Sequence, residues 1–178
     1  MRISAKVVLG AAVLVGALAA ATIPAVASDD AGTGGRSGRR VAVSADQGAD
    51  GSSVVSTAPT CDTTGRCNFG ITATFAMTGS LSGTGVGTLA VVLSGADVYS
   101  TGMSSFLGTV ARCGTGGFVY RSVGDVVGGV YQPATWEIVP GSGTGDLAGI
   151  RGEGTAVTTG AVPGAAYRFS GTVRCGHR

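Results

Sequence analysis

The chain has few of the side chains that enzymes most often use for acid–base and nucleophilic chemistry. Its 178 residues include one histidine, His177, and one lysine, Lys6. His177 stands beside Arg178 at the end of the sequence, where chains usually fray, so it is not expected to provide the fixed base of a Ser-His-Asp triad. The sequence also lacks the G-x-S-x-G motif that presents a nucleophilic serine in many hydrolases. No catalytic residue can therefore be named from these patterns.

Metal-binding and nucleotide-binding patterns are missing as well. The cysteines are Cys61, Cys67, Cys113 and Cys175, and only the first two are close enough to form one of the ligand pairs that a zinc site needs. The glycine-rich stretch 140–154, PGSGTGDLAGIRGEG, contains neither G-x-G-x-x-G nor the GK[ST] of a phosphate loop. We interpret it as a bulged hairpin in which glycines allow positive φ and close backbone contact. We expect no metal ion and no cofactor.

Residues 1–27 have the three parts of a secretory signal peptide. Arg2 and Lys6 give a positive start, residues 7–21 form an apolar run, and residues 25–27 read Ala-Val-Ala, the small-x-small pattern of a cleavage site. The alternative is an uncleaved membrane anchor, since about twenty mostly apolar residues are enough to span a bilayer. Pro24 and the cleavage site favour the signal peptide. We expect a secreted protein, extracellular or associated with the cell envelope, with no membrane contact after cleavage.

Cleavage would leave the mature chain with almost no net charge. It removes two of the twelve basic residues and none of the ten acidic ones. Binding to nucleic acid or to an anionic membrane needs a basic surplus, so neither partner is expected. Residues 28–53 are rich in Gly, Ser, Asp and Ala without apolar periodicity, which indicates a disordered spacer. Residues 54–178 remain, enough for one compact domain.

Residues 54–178 are predicted to form an all-β domain. The chain contains 33 glycines, and interior glycines weaken helices by about 1 kcal/mol each. Between Cys67 and Thr78, apolar side chains occupy the odd positions and mostly polar ones the even positions, as in a half-buried strand. Similar stretches are separated by glycine-rich turns, which indicates a meandering antiparallel sheet.

We expect this sheet to close into a small antiparallel β-barrel of about eight strands, because closure removes exposed edges and encloses the apolar face. A small sandwich is the alternative. The interior would hold an aromatic set that consists of Phe69, Phe75, Phe118, Tyr120, Trp136, Tyr167 and Phe169.

The four cysteines of an exported chain indicate two disulfides, with three possible pairings. Cys61 and Cys67 bracket a short connection that can bend back like a hairpin, so we expect these two to pair. Cys113 would then pair with Cys175. That bond would fasten the last strand to the middle of the chain and close a long loop, worth about 4 to 5 kcal/mol in the chain-entropy model.

The stretch 135–154, TWEIVPGSGTGDLAGIRGEG, resembles a bacterial family of uncharacterised function. Its members share a strand ending in Trp-x-[IV]-Val-Pro-Gly-Ser-Gly-Thr-Gly-[DE]-Leu, followed by Ala-Gly-[LI]-Arg-Gly. That family is similar to allene oxide cyclase and to the plant dirigent proteins, which are small antiparallel β-barrels. The likeness covers residues 67–174 and is specific over 135–154. It implies an allene-oxide-cyclase-like barrel, but no motif here matches the residues that act in those cyclases.

Three functions remain open for the domain. The first is binding of a small apolar molecule inside the barrel, with Tyr120, Trp136, Tyr167 and Phe169 as the predicted ligand-binding residues. The second is a cofactor-free isomerase or cyclase of the allene-oxide-cyclase type, with Tyr120 or Tyr167 as its polar group. The third has a filled interior and a function on the outer surface, as a cell-envelope or interaction protein. The free volume of the interior separates the first two from the third.

Overall fold

A computed structural model describes residues 38–159 and 166–176, with the backbone alone described for residues 49–54. The signal peptide predicted for residues 1–27 and the first part of the predicted spacer lie outside these residues.

The described chain is built almost entirely of β-strands. The eight strands of the main sheet and two short ones are β1 (Arg40–Ser56), β2 (Thr60–Cys61), β3 (Cys67–Gly79), β4 (Leu81–Ser94), β5 (Asp97–Val110), β6 (Gly114–Val127), β7 (Val130–Tyr131), β8 (Ala134–Ile138), β9 (Arg151–Thr158) and β10 (Ala166–Arg174). Neighbouring strands follow the order β1-β10-β9-β8-β6-β5-β4-β3, all antiparallel, and β1 also pairs with β3. The sheet is therefore a closed eight-stranded barrel, which confirms the predicted fold.

The barrel begins earlier in the chain than the sequence predicted. Strand β1 pairs with β10 from Arg40 to Gly48 and also pairs with β3. Its side chains at Val41, Val43 and Ala45 are buried in the core. The disordered spacer predicted for residues 28–53 is therefore wrong from Arg40 onward. In a barrel strand, apolar side chains occupy every second position. In β1 small and acidic residues stand between the apolar ones, and this composition concealed the alternation.

The core lies inside the barrel and follows the predicted alternation. Strand β6 illustrates it, since Phe118 and Tyr120 are buried while Arg121 is exposed. The remaining buried apolar side chains come from all the long strands and from the connection between β8 and β9. They include Val41, Val43, Ala45, Phe75, Met77, Leu81, Phe106, Val110, Trp136, Ile138, Leu147, Ile150, Ala156, Phe169 and Val173.

The glycine-rich connection between β8 and β9 is not the bulged hairpin that was expected. It contains a single 3-10 turn, Gly145–Leu147, and Gly141, Gly145 and Gly149 have positive φ. Leu147 and Ile150 are almost fully buried, with relative exposures of 1% and 0%. The connection therefore adds apolar side chains to the core, and its positive-φ turns favour glycine because other residues are strained there.

This connection also serves as a partner for the edge of β6. Strand β8 pairs with β6 over Tyr120–Val123 only. Before that segment, three N–H groups of β6 donate hydrogen bonds to side chains at every second position of the connection. Val119 N–H donates to Ser142 Oγ at 3.0 Å, Gly117 N–H to Thr144 Oγ1 at 3.0 Å, and Thr115 N–H to Asp146 Oδ2 at 3.2 Å. The S-G-T-G-D motif therefore satisfies backbone donors that lack a strand partner.

Both predicted disulfides are confirmed. Cys61 and Cys67 are directly opposite each other on β2 and β3, with Cα atoms 4.0 Å apart. Cys113 and Cys175 have Cα atoms 5.2 Å apart and join the β5–β6 turn to the residue after β10. Within the described ranges, no helix has the length and apolar character needed to cross a membrane.

Candidate functional site

The four residues predicted to bind a ligand meet inside the barrel. The ring centroids of Trp136 and Phe169 are 6.1 Å apart, and those of Tyr120 and Phe169 are 5.9 Å apart. Tyr167 is half-buried and packs against the same cluster. Trp136 donates its indole N–H to the Thr155 carbonyl oxygen at 3.1 Å, so its polar atom bonds to the barrel wall.

Three phenylalanines extend this cluster through the middle of the barrel. Phe118 lies between Tyr120, at 6.3 Å, and Phe106, at 4.9 Å, while Phe75 approaches Tyr120 at 6.3 Å. Phe106 is 1% exposed, yet it was missing from the predicted aromatic set. Alternation gave no clear signal for it, because β5 carries Tyr99, Met103 and Leu107 on its exposed face.

Glycines in the wall make room for these rings. A Cβ added at Gly85 would stand 2.3 Å from Phe75 Cζ, and one at Gly108 would stand 2.9 Å from Phe106 Cζ. The Trp136 ring lies against two such positions, where an added Cβ would be 2.8 Å from its atoms at Gly154 and 2.7 Å at Gly171. Ring atoms thus occupy the space that a side chain would take. The middle of the barrel is packed with the protein's own side chains.

A small polar group interrupts this apolar interior. The Tyr120 hydroxyl donates to Gln47 Oε1 at 3.3 Å. Burial raises the pKa of Tyr120 to about 12, and a hydrogen bond from Ser104 lowers it in part. Ser104 is itself buried, with 7% exposure. The phenol is therefore neutral at physiological pH. Sequence reasoning missed Gln47 because it lay in the predicted spacer, although it continues the inward positions of β1.

The other end of the inner face is less closely packed. Burial raises the pKa of Tyr167, and the nearby Tyr131 raises it further. Strands β3 to β6 continue beyond this point, where Val91 is buried but most of the inward apolar side chains are half-buried. They include Phe69, Ile71, Leu89, Leu93, Val98 and Val126.

Comparison with known proteins agrees with the barrel. The family model described as "Protein of unknown function (DUF3224)" matches residues 50–170. A solved structure of a DUF3224-family protein of unknown function from Shewanella oneidensis MR-1 is similar to this chain, with a TM-score of 0.59 and 17% sequence identity. The alignment covers 79% of this chain and 99% of that one. No curated protein sequence matches the chain. At this identity the likeness shows the fold alone, and the likeness to allene oxide cyclase stays a prediction.

Proposed function

We propose that this chain, which belongs to the DUF3224 family, is an exported, non-catalytic binding module whose partner contacts the outer surface of the barrel. The observation that carries the proposal is the packing of the interior. Rings from five strands touch one another, and the wall glycines fit against them. Ligand pockets for small molecules usually have volumes of about 300 to 1,000 Å³. A core filled by its own rings leaves the outer surface as the place for binding.

The state of Tyr120 argues against a cyclase or isomerase in the barrel. A general acid or base works best when its pKa lies near the operating pH, whereas the pKa of this phenol is about 12. The Tyr120 hydroxyl already donates a hydrogen bond to Gln47. A substrate would have to displace both Gln47 and the neighbouring rings before it reached the hydroxyl.

Export is the second part of the proposal. Two disulfides hold the domain together, and disulfides persist mainly in oxidising compartments. The signal-peptide pattern of residues 1–27 supports the same compartment.

Binding of a small apolar molecule is the second candidate, and one observation favours it. Tyr167 and the half-buried inner residues at its end of the barrel, such as Phe69 and Leu89, form an apolar surface that is not closely packed. A ligand there would lie at the mouth of the barrel and not among the buried rings.

Native mass spectrometry of the protein purified from the medium of its own producer tests the proposal. The mature chain alone is expected, with residue 28 near its N terminus and two intact disulfides. A stoichiometric apolar metabolite that Tyr167→Ala releases would support the second candidate. A metabolite that Phe169→Ala releases and Tyr167→Ala retains would overturn the packed-interior proposal.

A further inference from the structure

Three arginines stand side by side on the outside of the barrel. Arg40 on β1 is directly opposite Arg174 on β10, and Arg174 is directly opposite Arg151 on β9. Directly opposed residues of antiparallel strands point to the same face. The neighbours Val41 and Val173 are buried in the core, so the arginines face outward. We call Arg40, Arg174 and Arg151 the arginine row.

No arginine of the row forms an ion pair within the described part of the protein. The two ion pairs there join Arg121 to Glu137 and Arg168 to Asp46, so neither of them uses an arginine of the row. Like charges directly opposite each other on a sheet are destabilising. Three in succession therefore cost folding stability, a cost that binding of an anion would remove.

A groove of about 240 Å³ runs along the row. It opens where β8 leaves β9, since their pairing ends at Glu137 and Glu153. The wall between the two strands is then formed by Ile138, Pro140 and Gly152, the last without a side chain. Thr172, also short, lies beside the row. The guanidinium groups consequently border a concave space on the barrel wall.

The charge of this groove is positive. Two carboxylates line it, and Arg121 already binds Glu137. Glu153 alone remains against three guanidinium groups. Each guanidinium can donate two parallel hydrogen bonds to a tetrahedral oxyanion. Neighbouring strands are about 4.8 Å apart, so the row spans about 10 Å and can contact more than one anionic group.

We propose that the arginine row and its groove bind a small soluble molecule that carries two or more linked phosphate groups. This inference rests on the proposed function, because it assigns a ligand class to the outer surface. The near-zero net charge of the mature chain does not oppose it, since the row concentrates positive charge locally.

Isothermal titration with inorganic tripolyphosphate, pyrophosphate and orthophosphate tests the site, at constant ionic strength because salt screens exposed charges. We expect tripolyphosphate to bind most tightly and orthophosphate most weakly. Arg151→Gln should weaken tripolyphosphate binding at least tenfold. Arg66→Gln, which makes the same charge change in the β2–β3 turn, should alter it less than twofold. Arg151 is exposed, and a melting curve verifies that the variant folds.

Arg151→Lys separates bidentate recognition from plain charge. It keeps the charge but loses the planar fork, so we expect a clear loss of affinity. Binding equal to that of the unaltered protein would contradict the proposed geometry. The absence of tripolyphosphate binding, or equal losses in Arg151→Gln and Arg66→Gln, would overturn the site. Those results would leave the packed interior standing, because apolar probes test it independently.

Discussion

The Trp136 indole lies against Gly171, where an added Cβ would come within 2.7 Å of ring atom Cζ2. At Gly154 on the neighbouring strand, an added Cβ would be 2.8 Å from ring atom Cε2. These glycines are complementary to the aromatic side chain, because a residue with a Cβ would occupy the space of the ring. The glycine content of the strands therefore follows in part from the rings that the barrel encloses.

Filling that space should destabilise the barrel. Gly171→Ala places a methyl group against Trp136 and 2.2 Å from the Glu153 carbonyl oxygen, so we expect a loss of about 1 to 3 kcal/mol in the free energy of unfolding. Gly48→Ala is the matched control, since nothing lies within 4 Å of its added Cβ. Urea denaturation measures both variants. Equal stability of the two would show that the ring does not need the glycine.

The sequence was sufficient to predict the barrel and both disulfides, since one-sided alternation and cysteine spacing are local patterns. It was not sufficient for β1. Val41, Val43 and Ala45 alternate among Ala, Ser and Asp, and a composition typical of linkers concealed a short buried face. Gln47 was lost for the same reason, so the polar group around Tyr120 could not be assembled.

Features created by strand register were beyond sequence reasoning for a different reason. Arg40, Arg151 and Arg174 are far apart in the chain and meet only because β1, β10 and β9 pair in one register. Likewise, the roles of Ser142 and Thr144 appear only when the connection lies beside β6.

Strand β1 should contribute strongly to stability, contrary to the predicted spacer. Val43 is 3% exposed and Val55, on the same strand, is 63% exposed. Val43→Ala removes two buried methyl groups and should cost about 2 kcal/mol at about 0.8 kcal/mol per buried carbon, with a further cavity cost. Val55→Ala should change the free energy of unfolding by less than about 0.5 kcal/mol. Thermal melts compare them, and a neutral Val43→Ala would restore the spacer interpretation.

The hydroxyl of Thr144 should be needed for the edge of β6. Thr144→Val keeps the shape but leaves the Gly117 N–H without its side-chain acceptor, which should cost about 1 to 3 kcal/mol. Thr144→Ser keeps the hydroxyl and should be closer to the unaltered protein. Guanidinium unfolding measures both. A Thr144→Val variant as stable as the unaltered protein would mean that this hydrogen bond does not contribute to stability.

Tyr120 should make the protein less stable at high pH. Its folded-state pKa is raised from 10.0 to about 12, so the stabilisation is complete below pH 10. It is lost as pH rises from about 10 to 12, because the unfolded chain releases the proton first. Over this range the free energy of unfolding should fall by about 2 to 3 kcal/mol. Tyr120→Phe should lose less stability over this range. An unchanged pH profile in the variant would assign the effect to Tyr131 and Tyr167, whose pKa values are also raised.

The packed interior is the central claim, and binding of benzene tests it most directly. Phe169→Ala should open an apolar cavity beside Tyr120 and Trp136, and engineered cavities of this kind bind benzene. Phe169→Ala should lower the free energy of unfolding by about 3 to 5 kcal/mol. If that variant does not fold, Phe169→Leu is used in its place.

Saturable benzene binding is followed by the shift in melting temperature and by the fluorescence of Trp136. We expect binding to the cavity variant and none among the rings of the unaltered protein. The contradicting result is saturable benzene binding to the unaltered protein that changes Trp136 fluorescence and that Phe169→Ala does not strengthen. It would show that the interior already has room for a ligand.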